Sequence, residues 1–177
     1  MKYKASVLIF FWLAAARLAL ADPISLQDFK LTGDLAGGDS AVFTLTATAR
    51  VDAREGGSLP LLSGPVALTG LGPHAKWDIR ASYGGYRLVF KRNGVYPVEI
   101  KFNAAVQKSN DWNTVSFQVA AGTLQPVVFQ GLTADTQFVF PDAARPERVG
   151  ANFQSILPVN GAVNFSWKEA QREAEGK

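Results

Sequence analysis

Few residues of this sequence are of a type that carries chemistry. His74 is the only histidine and there is no cysteine. His74 follows Gly72-Pro73, and Asp78 comes four residues later. That pairing would suit a general base steered by a carboxylate. The simpler reading, a histidine in a surface turn, is preferred here. No G-x-S-x-G elbow presents a serine to it, since Gly56-Gly57-Ser58 and Leu62-Ser63-Gly64 both fail that pattern. Paired carboxylates could hydrolyse a glycoside. Those from Asp34 to Glu147 are instead scattered, most of them in turns where aspartate serves the backbone.

Two loops hold oxygen ligands at a spacing that raises calcium. One carries Asp34 and Asp39, the other Asn110, Asp111 and Asn113. Calcium wants six to eight oxygens, and neither loop has the D-x-D-x-D-G density of an EF-hand. A single histidine excludes a multi-histidine metal cluster. The lack of cysteine excludes thiolate zinc sites, cysteine-ligated iron–sulfur clusters, cysteine nucleophiles and disulfide scaffolds. No P-loop or dinucleotide fingerprint is present. The expectation is no catalytic residue, no metal and no cofactor, and hence no enzyme.

The aromatics remain. Tyr83 and Tyr86 flank Gly84-Gly85, and Trp112 adjoins Asn110, Asp111 and Asn113. A sugar face stacks on an exposed ring, so Tyr83, Tyr86 and Trp112 are the candidate ligand-binding residues, as a glycan patch. The alternative is that the tyrosines cover the ends of the fold with their hydroxyls in water, while Trp77 and Trp167 belong to the core.

The elements that would position these residues are strands. Ala41 to Asp52 alternates apolar and polar residues with a period of two, the mark of a strand with one buried and one wet face. Ile24 to Leu31 is a weaker strand, joined to it through Gly37-Gly38-Asp39. Leu59 to Thr69 carries Pro60 and Pro65, which suits an edge strand or a crossing segment. Asn93-Gly94 and Asn160-Gly161 are hairpin signals. Gln107 to Asp111 reads as a polar loop. Further short strands fall at Trp77–Ala81, Arg87–Phe90, Val98–Phe102, Trp112–Val119, Val127–Phe129, Gln137–Phe140, Asn152–Leu157 and Val163–Trp167. Turns recur mostly every 8–12 residues, which predicts an all-β antiparallel sandwich, immunoglobulin-like or related. A β-barrel is the alternative, disfavoured because the proline-bearing segments need edges.

With 177 residues, 47% apolar and 19% charged, the chain has the composition of a folded protein. Residues 1–21 read as a secretory signal peptide. They comprise Lys2 and Lys4, the apolar run Ala5–Ala16, and Ala19-Leu20-Ala21 as the cleavage pattern. That run is shorter than the roughly 20 residues a bilayer span needs. Removing residues 1–21 deletes Lys2, Lys4 and Arg17 and no acid, leaving 15 basic and 15 acidic residues. The mature part is therefore neutral. It lacks the net charge expected of a nucleic-acid binder, and no membrane span is expected in it. Residues 22–167 form the sandwich region, with a boundary between two small β domains near 70–76 as an alternative. Residues 168–177 (KEAQREAEGK) form a charged tail or linker. Export without cysteine points to a bacterial periplasm or cell surface.

Two stretches resemble known families. Gly131-Leu132-Thr133-Ala134-Asp135-Thr136-Gln137-Phe138-Val139-Phe140 resembles the G-L-x-P-x-T-x-Y-x-V corner of fibronectin type III domains. Ala134 replaces the proline and Phe138 the tyrosine, so that tyrosine's hydrogen bond is lost. Trp77 to Lys177 resembles the N-terminal β module of large uncharacterised bacterial envelope proteins. The likeness is carried by Tyr86-Arg87-Leu88-Val89-Phe90, Gly94-Val95-Tyr96-Pro97-Val98-Glu99, Ala134-Asp135-Thr136-Gln137-Phe138 and Trp167-Lys168-Glu169-Ala170. It implies a chain that runs on past Lys177 and brings no activity with it.

The functional expectation is a non-catalytic exported β-sandwich module, a structural or protein-interaction domain of a larger envelope protein. A carbohydrate-binding module using exposed aromatics is the second reading and a small hydrolase the third. The expected partners are other envelope proteins, other domains of the same longer chain, or a glycan.

Overall fold

The computed structural model describes residues 23–72 and 76–169. The expected signal peptide, His74 and the end of the charged tail from Ala170 onward lie outside the described residues. The strands follow in the order β1 (Ile24–Asp34), β2 (Ser40–Val51), β3 (Gly57–Ser63), β4 (Val66–Leu71), β5 (Trp77–Ser82), β6 (Gly85–Phe90), β7 (Gly94–Ala105), β8 (Gln107–Ser109), β9 (Trp112–Val119), β10 (Pro126–Gln130), β11 (Gln137–Val139), β12 (Glu147–Val149), β13 (Asn152–Ile156) and β14 (Ala162–Lys168). The first sheet has the order β12-β13-β10-β1-β2-β7-β4 and the second β11-β14-β9-β3-β6-β5, with β8 paired to β9. All the pairings are antiparallel except β1 with β10. The sheets do not close on themselves, so the molecule is a β-sandwich and not a barrel. Each sheet mixes strands from before and after residues 70–76.

The core follows from alternation. β2 and β7 pair without interruption from Ser40↔Ala105 to Val51↔Gly94. Phe43, Leu45, Ala49, Ile100 and Phe102 point inward from these two strands and are fully buried. Phe43 stacks on Phe102 with centroids 5.6 Å apart, and both meet Phe117 of the opposite sheet edge-on, at 4.9 and 5.4 Å. Gly33 keeps room for this cluster, because a Cβ there would strike the Phe43 ring. A second aromatic group, Phe129, Phe138, Phe153 and Phe165, fills the other half of the sandwich, with Phe129 and Phe165 4.4 Å apart. Trp77 and Trp167 are buried among the core residues.

β1 was the weaker strand in the sequence for a physical reason. A bulge lies between Gln27 and Lys30, with Asp28 at φ 50°. The inward residues are Ile24 and Leu26 before it and Phe29 and Leu31 after it. One extra residue flips the parity, so a single period-two pattern cannot describe the whole strand.

The proline-bearing segment is two strands. β3 lies inside the second sheet and β4 on the edge of the first, and the chain crosses between them at Gly64-Pro65. Pro60 is accommodated because β9 pairs β3 only at Leu62 and Ser63.

Both Asn-Gly sites differ from the hairpins expected of them. β6 and β7, on either side of Asn93-Gly94, belong to different sheets, as do β13 and β14 around Asn160-Gly161. Gly94 and Gly161 do adopt positive φ, 150° and 74°. The dipeptide sets the local bend, and the strands then diverge to opposite layers. The tight hairpin in this region is β8–β9, in the segment read as a polar loop, turned by Asn110 and Asp111 at φ 48° and 66°. At 131–140 the corner is closed by Thr136, whose hydroxyl donates to the Thr133 carbonyl at 2.9 Å.

Candidate functional site

The β5–β6 hairpin and the turn after it build a polar cleft. Trp77 begins β5 and is buried. Its indole Nε1 donates to the Pro97 carbonyl at 3.0 Å and so ties the edge of the second sheet to β7 of the first. Tyr96, also buried, braces the 91–94 turn by donating its hydroxyl to the Arg92 carbonyl at 2.9 Å. Its ring lies 5.0 Å from that of Phe90. Around these two rings opens a cleft of about 610 Å³, with Lys76, Lys91, Arg92 and Asn93 at its mouth. Asp78 is the acid lining it, 3.4 Å from Lys91. Both partners are solvent-exposed, so the pair adds little stability.

A second cleft, also about 610 Å³, lies where β3 and β9 part. Its walls include Ile24, Leu26, Leu59, Leu61 and Val119, with the loop 120–123 along one side. The loop is held by Gln125, which is buried and donates through Nε2 to the Ala120 carbonyl at 2.6 Å. Gln125 Oε1 has no hydrogen-bond partner among the described residues.

The aromatics singled out in the sequence are spread over the second sheet. Tyr83 stands fully in solvent at the β5–β6 turn. Tyr86, half-buried on β6, pairs with Leu62 of β3, which in turn pairs with Val119. Trp112, half-buried, starts β9, seven residues before Val119. At roughly 3.3 Å per residue this puts it about 20 Å along the strands from Tyr86. The Lys168 ammonium lies 4.8 Å from the Trp112 ring centroid. Lys168 was expected in the free tail and instead ends β14, paired with Gln137.

The carboxylates are engaged locally or apart. Asp34 Oδ1 accepts from the Ala36 backbone N–H at 3.1 Å, and Asp39 pairs with Lys108 at 3.1 Å. Asp52 pairs with Arg50 at 3.1 Å. Among the described residues no three of His, Cys, Asp and Glu gather as a metal site. With a single histidine and no cysteine in the sequence, these residues do not fit a zinc centre.

One feature of this surface was open to view in the sequence and passed over. Residues 76–92 contain Lys76, Arg80, Arg87, Lys91 and Arg92 against Asp78 alone. Net charge averaged over residues 22–177 conceals this local excess.

No protein-family model matches this sequence, and no curated protein matches it. Solved structures do. The fold is similar to native yeast LTA4 hydrolase at a TM-score of 0.51 and 12% identity, covering 82% of this chain and 29% of that one. A second structure of leukotriene A4 hydrolase from Saccharomyces cerevisiae gives a TM-score of 0.47 at 10% identity over the same 29% of its chain. An M1 zinc metallopeptidase from Deinococcus radiodurans, an E323A mutant, gives 0.44 at 9% identity, covering 81% of this chain and 42% of that one. The chain thus spans less than half of the length of each.

These neighbours correct the functional expectation. A non-catalytic structural or interaction module of a larger envelope protein, a carbohydrate-binding module and a small hydrolase were the three readings. The solved structure that shares this sandwich at a TM-score of 0.51 is a hydrolase, of whose chain the match covers 29%. The sequence misled because strands and turns encode a sandwich, and one sandwich serves many functions.

Proposed function

We propose that this chain is a β domain of a larger hydrolase, related in fold to yeast LTA4 hydrolase. The observation that carries this reading is the match over 82% of this chain to 29% of that enzyme at a TM-score of 0.51. The reacting centre of such a hydrolase would lie outside the described residues, which lack the donor set for a zinc site. The test is to tag the protein at its chromosomal locus and purify whatever polypeptide carries or accompanies it. A chelator-sensitive peptidase activity in that material is expected. A purified assembly with no hydrolase polypeptide and no such activity would overturn the reading.

Export is a separate proposal, supported by the composition of residues 1–21. N-terminal sequencing of the protein from fractionated cells should give a mature start at Asp22. A protein recovered from the cytoplasm with Met1 in place would refute it.

A further inference from the structure

We propose that the outer edge of β5 is a strand-addition site for an extended peptide segment that alternates acidic and apolar residues. This surface would stand whether or not the chain belongs to a hydrolase. A strand joins a sheet where an edge is regular, long enough and open. Among the described residues the outer strands are β4, β5, β8, β11 and β12. β8, β11 and β12 are three residues long, too short to hold a partner. β4 is broken by a register shift between Leu68 and Gly70. β5 pairs β6 in continuous register from Trp77↔Phe90 to Ser82↔Gly85, and among the described residues no strand lies on its other side. Among the described residues the outward backbone groups of residues 78–82 are left to take a partner.

Charge then selects the occupant. Arg80 and Arg87 are directly opposed across the β5–β6 ladder, an arrangement that is unfavourable for like charges. Arg87 donates to the Ser58 hydroxyl at 2.9 Å, while Arg80 makes no hydrogen bond or ion pair among the described residues. Both line a shallow depression of about 500 Å³ with Ser58 and Ser82, and Glu55 is the acid lining it. The cationic cleft of Lys76, Lys91 and Arg92 adjoins the start of the same strand. Charged side chains on an edge also keep neighbouring sheets off it. Five cations against Asp78 within residues 76–92 leave a positive surface for anions to neutralise.

Alternation follows from the pleat. Trp77 and Ile79 of β5 are turned toward the core, while Asp78 and Arg80 share the outer face. A strand added beside β5 therefore sets acidic side chains next to Arg80 on one face and apolar ones next to Ile79 on the other. Asp78, already paired with Lys91, leaves Arg80 and the cleft cations as the groups that meet the acids.

The test is fluorescence anisotropy of the 177-residue protein with a labelled octapeptide of alternating valine and glutamate. Binding is expected, weakening as salt is raised. R80E and R87E should each weaken it by about tenfold or more, R80K should retain most of it, and K101E on the opposite sheet should change it less than about twofold. Unchanged tryptophan emission shows that the variants fold. The same peptide N-methylated at alternate residues keeps its charges and loses its ladder, so it should not bind. Equal binding of the methylated peptide would overturn strand addition, and so would a peptide affinity untouched by R80E and R87E. Heparin bound through these arginines by a protein that ignores the peptide would also overturn the proposal, in favour of a polyanion.

Discussion

The β2–β7 pair and the β5–β6 pair are both uninterrupted antiparallel ladders, yet they are held together by opposite means. β2 and β7 lie inside the first sheet and bury an unbroken row of apolar side chains on their inner face. β5 and β6 reach the edge of the second sheet, and their outer face places two arginines, Arg80 and Arg87, opposite each other in the ladder. In the first pair every cross-strand neighbour on the core face adds to packing. In the second, the ladder and the inward residues hold the hairpin while the outer face works against it. A protein tolerates that cost where the surface has another use.

The largest break in the comparison should come from Phe43→Ala. It removes a fully buried ring that contacts Phe102 and Phe117. A loss of about 3–5 kcal/mol is expected in urea unfolding. A loss below about 1 kcal/mol would mean that the assigned core face is wrong. Trp77→Phe tests how the hairpin is moored. It keeps most of the apolar volume and deletes the 3.0 Å bond to the Pro97 carbonyl. Stability should fall by about 1–2 kcal/mol, because that carbonyl loses its donor and some packing is lost. No change on unfolding would show that β5 is not anchored through this bond.

Smaller effects sharpen the contrast. Thr46 sits on the wet face of β2 opposite Glu99, so Thr46→Ala should cost less than about 1 kcal/mol. Arg80→Glu should do the reverse of an ordinary surface substitution. It turns the Arg80↔Arg87 opposition into an attraction and should raise stability by about 0.5 kcal/mol at low salt. The gain should vanish near molar salt. If Arg80→Glu destabilises at every ionic strength, the two arginines do not repel one another and the contrast between the two ladders fails.

The sandwich was legible in the sequence where burial and local pattern agree. Ala41 to Asp52 reads as a strand because its inner residues all face one core, and it is β2 to within a residue at each end. Legibility fails where the same local signal is compatible with two global outcomes. Asn93-Gly94 and Asn160-Gly161 specify a positive φ, but which sheet receives the next strand is decided by the apolar faces that flank them. The bulge at Asp28 hides half of β1, because period-two counting assumes one register. The candidate site was less legible than the fold. Tyr83, Tyr86 and Trp112 were chosen by type, and β9 carries Trp112 to the far end of the sheet from the tyrosines. The basic hairpin needed a sum over residues 76–92, which the neutral total of residues 22–177 obscures.

The parallel pairing of β1 with β10 bears on how the molecule comes into being. Leu31 meets Val127 and Asp34 meets Gln130, partners separated by roughly a hundred residues of chain. β10, β13 and β12 join the first sheet through β1 alone. β2 follows at once to cover one side of β1, while the other side waits until roughly a hundred further residues have been made. Closing so long a loop is slow, and an unpaired central strand is exposed to other chains in the meantime. The vulnerable moment of this sandwich is thus its assembly, at the strand that ends up best sheltered.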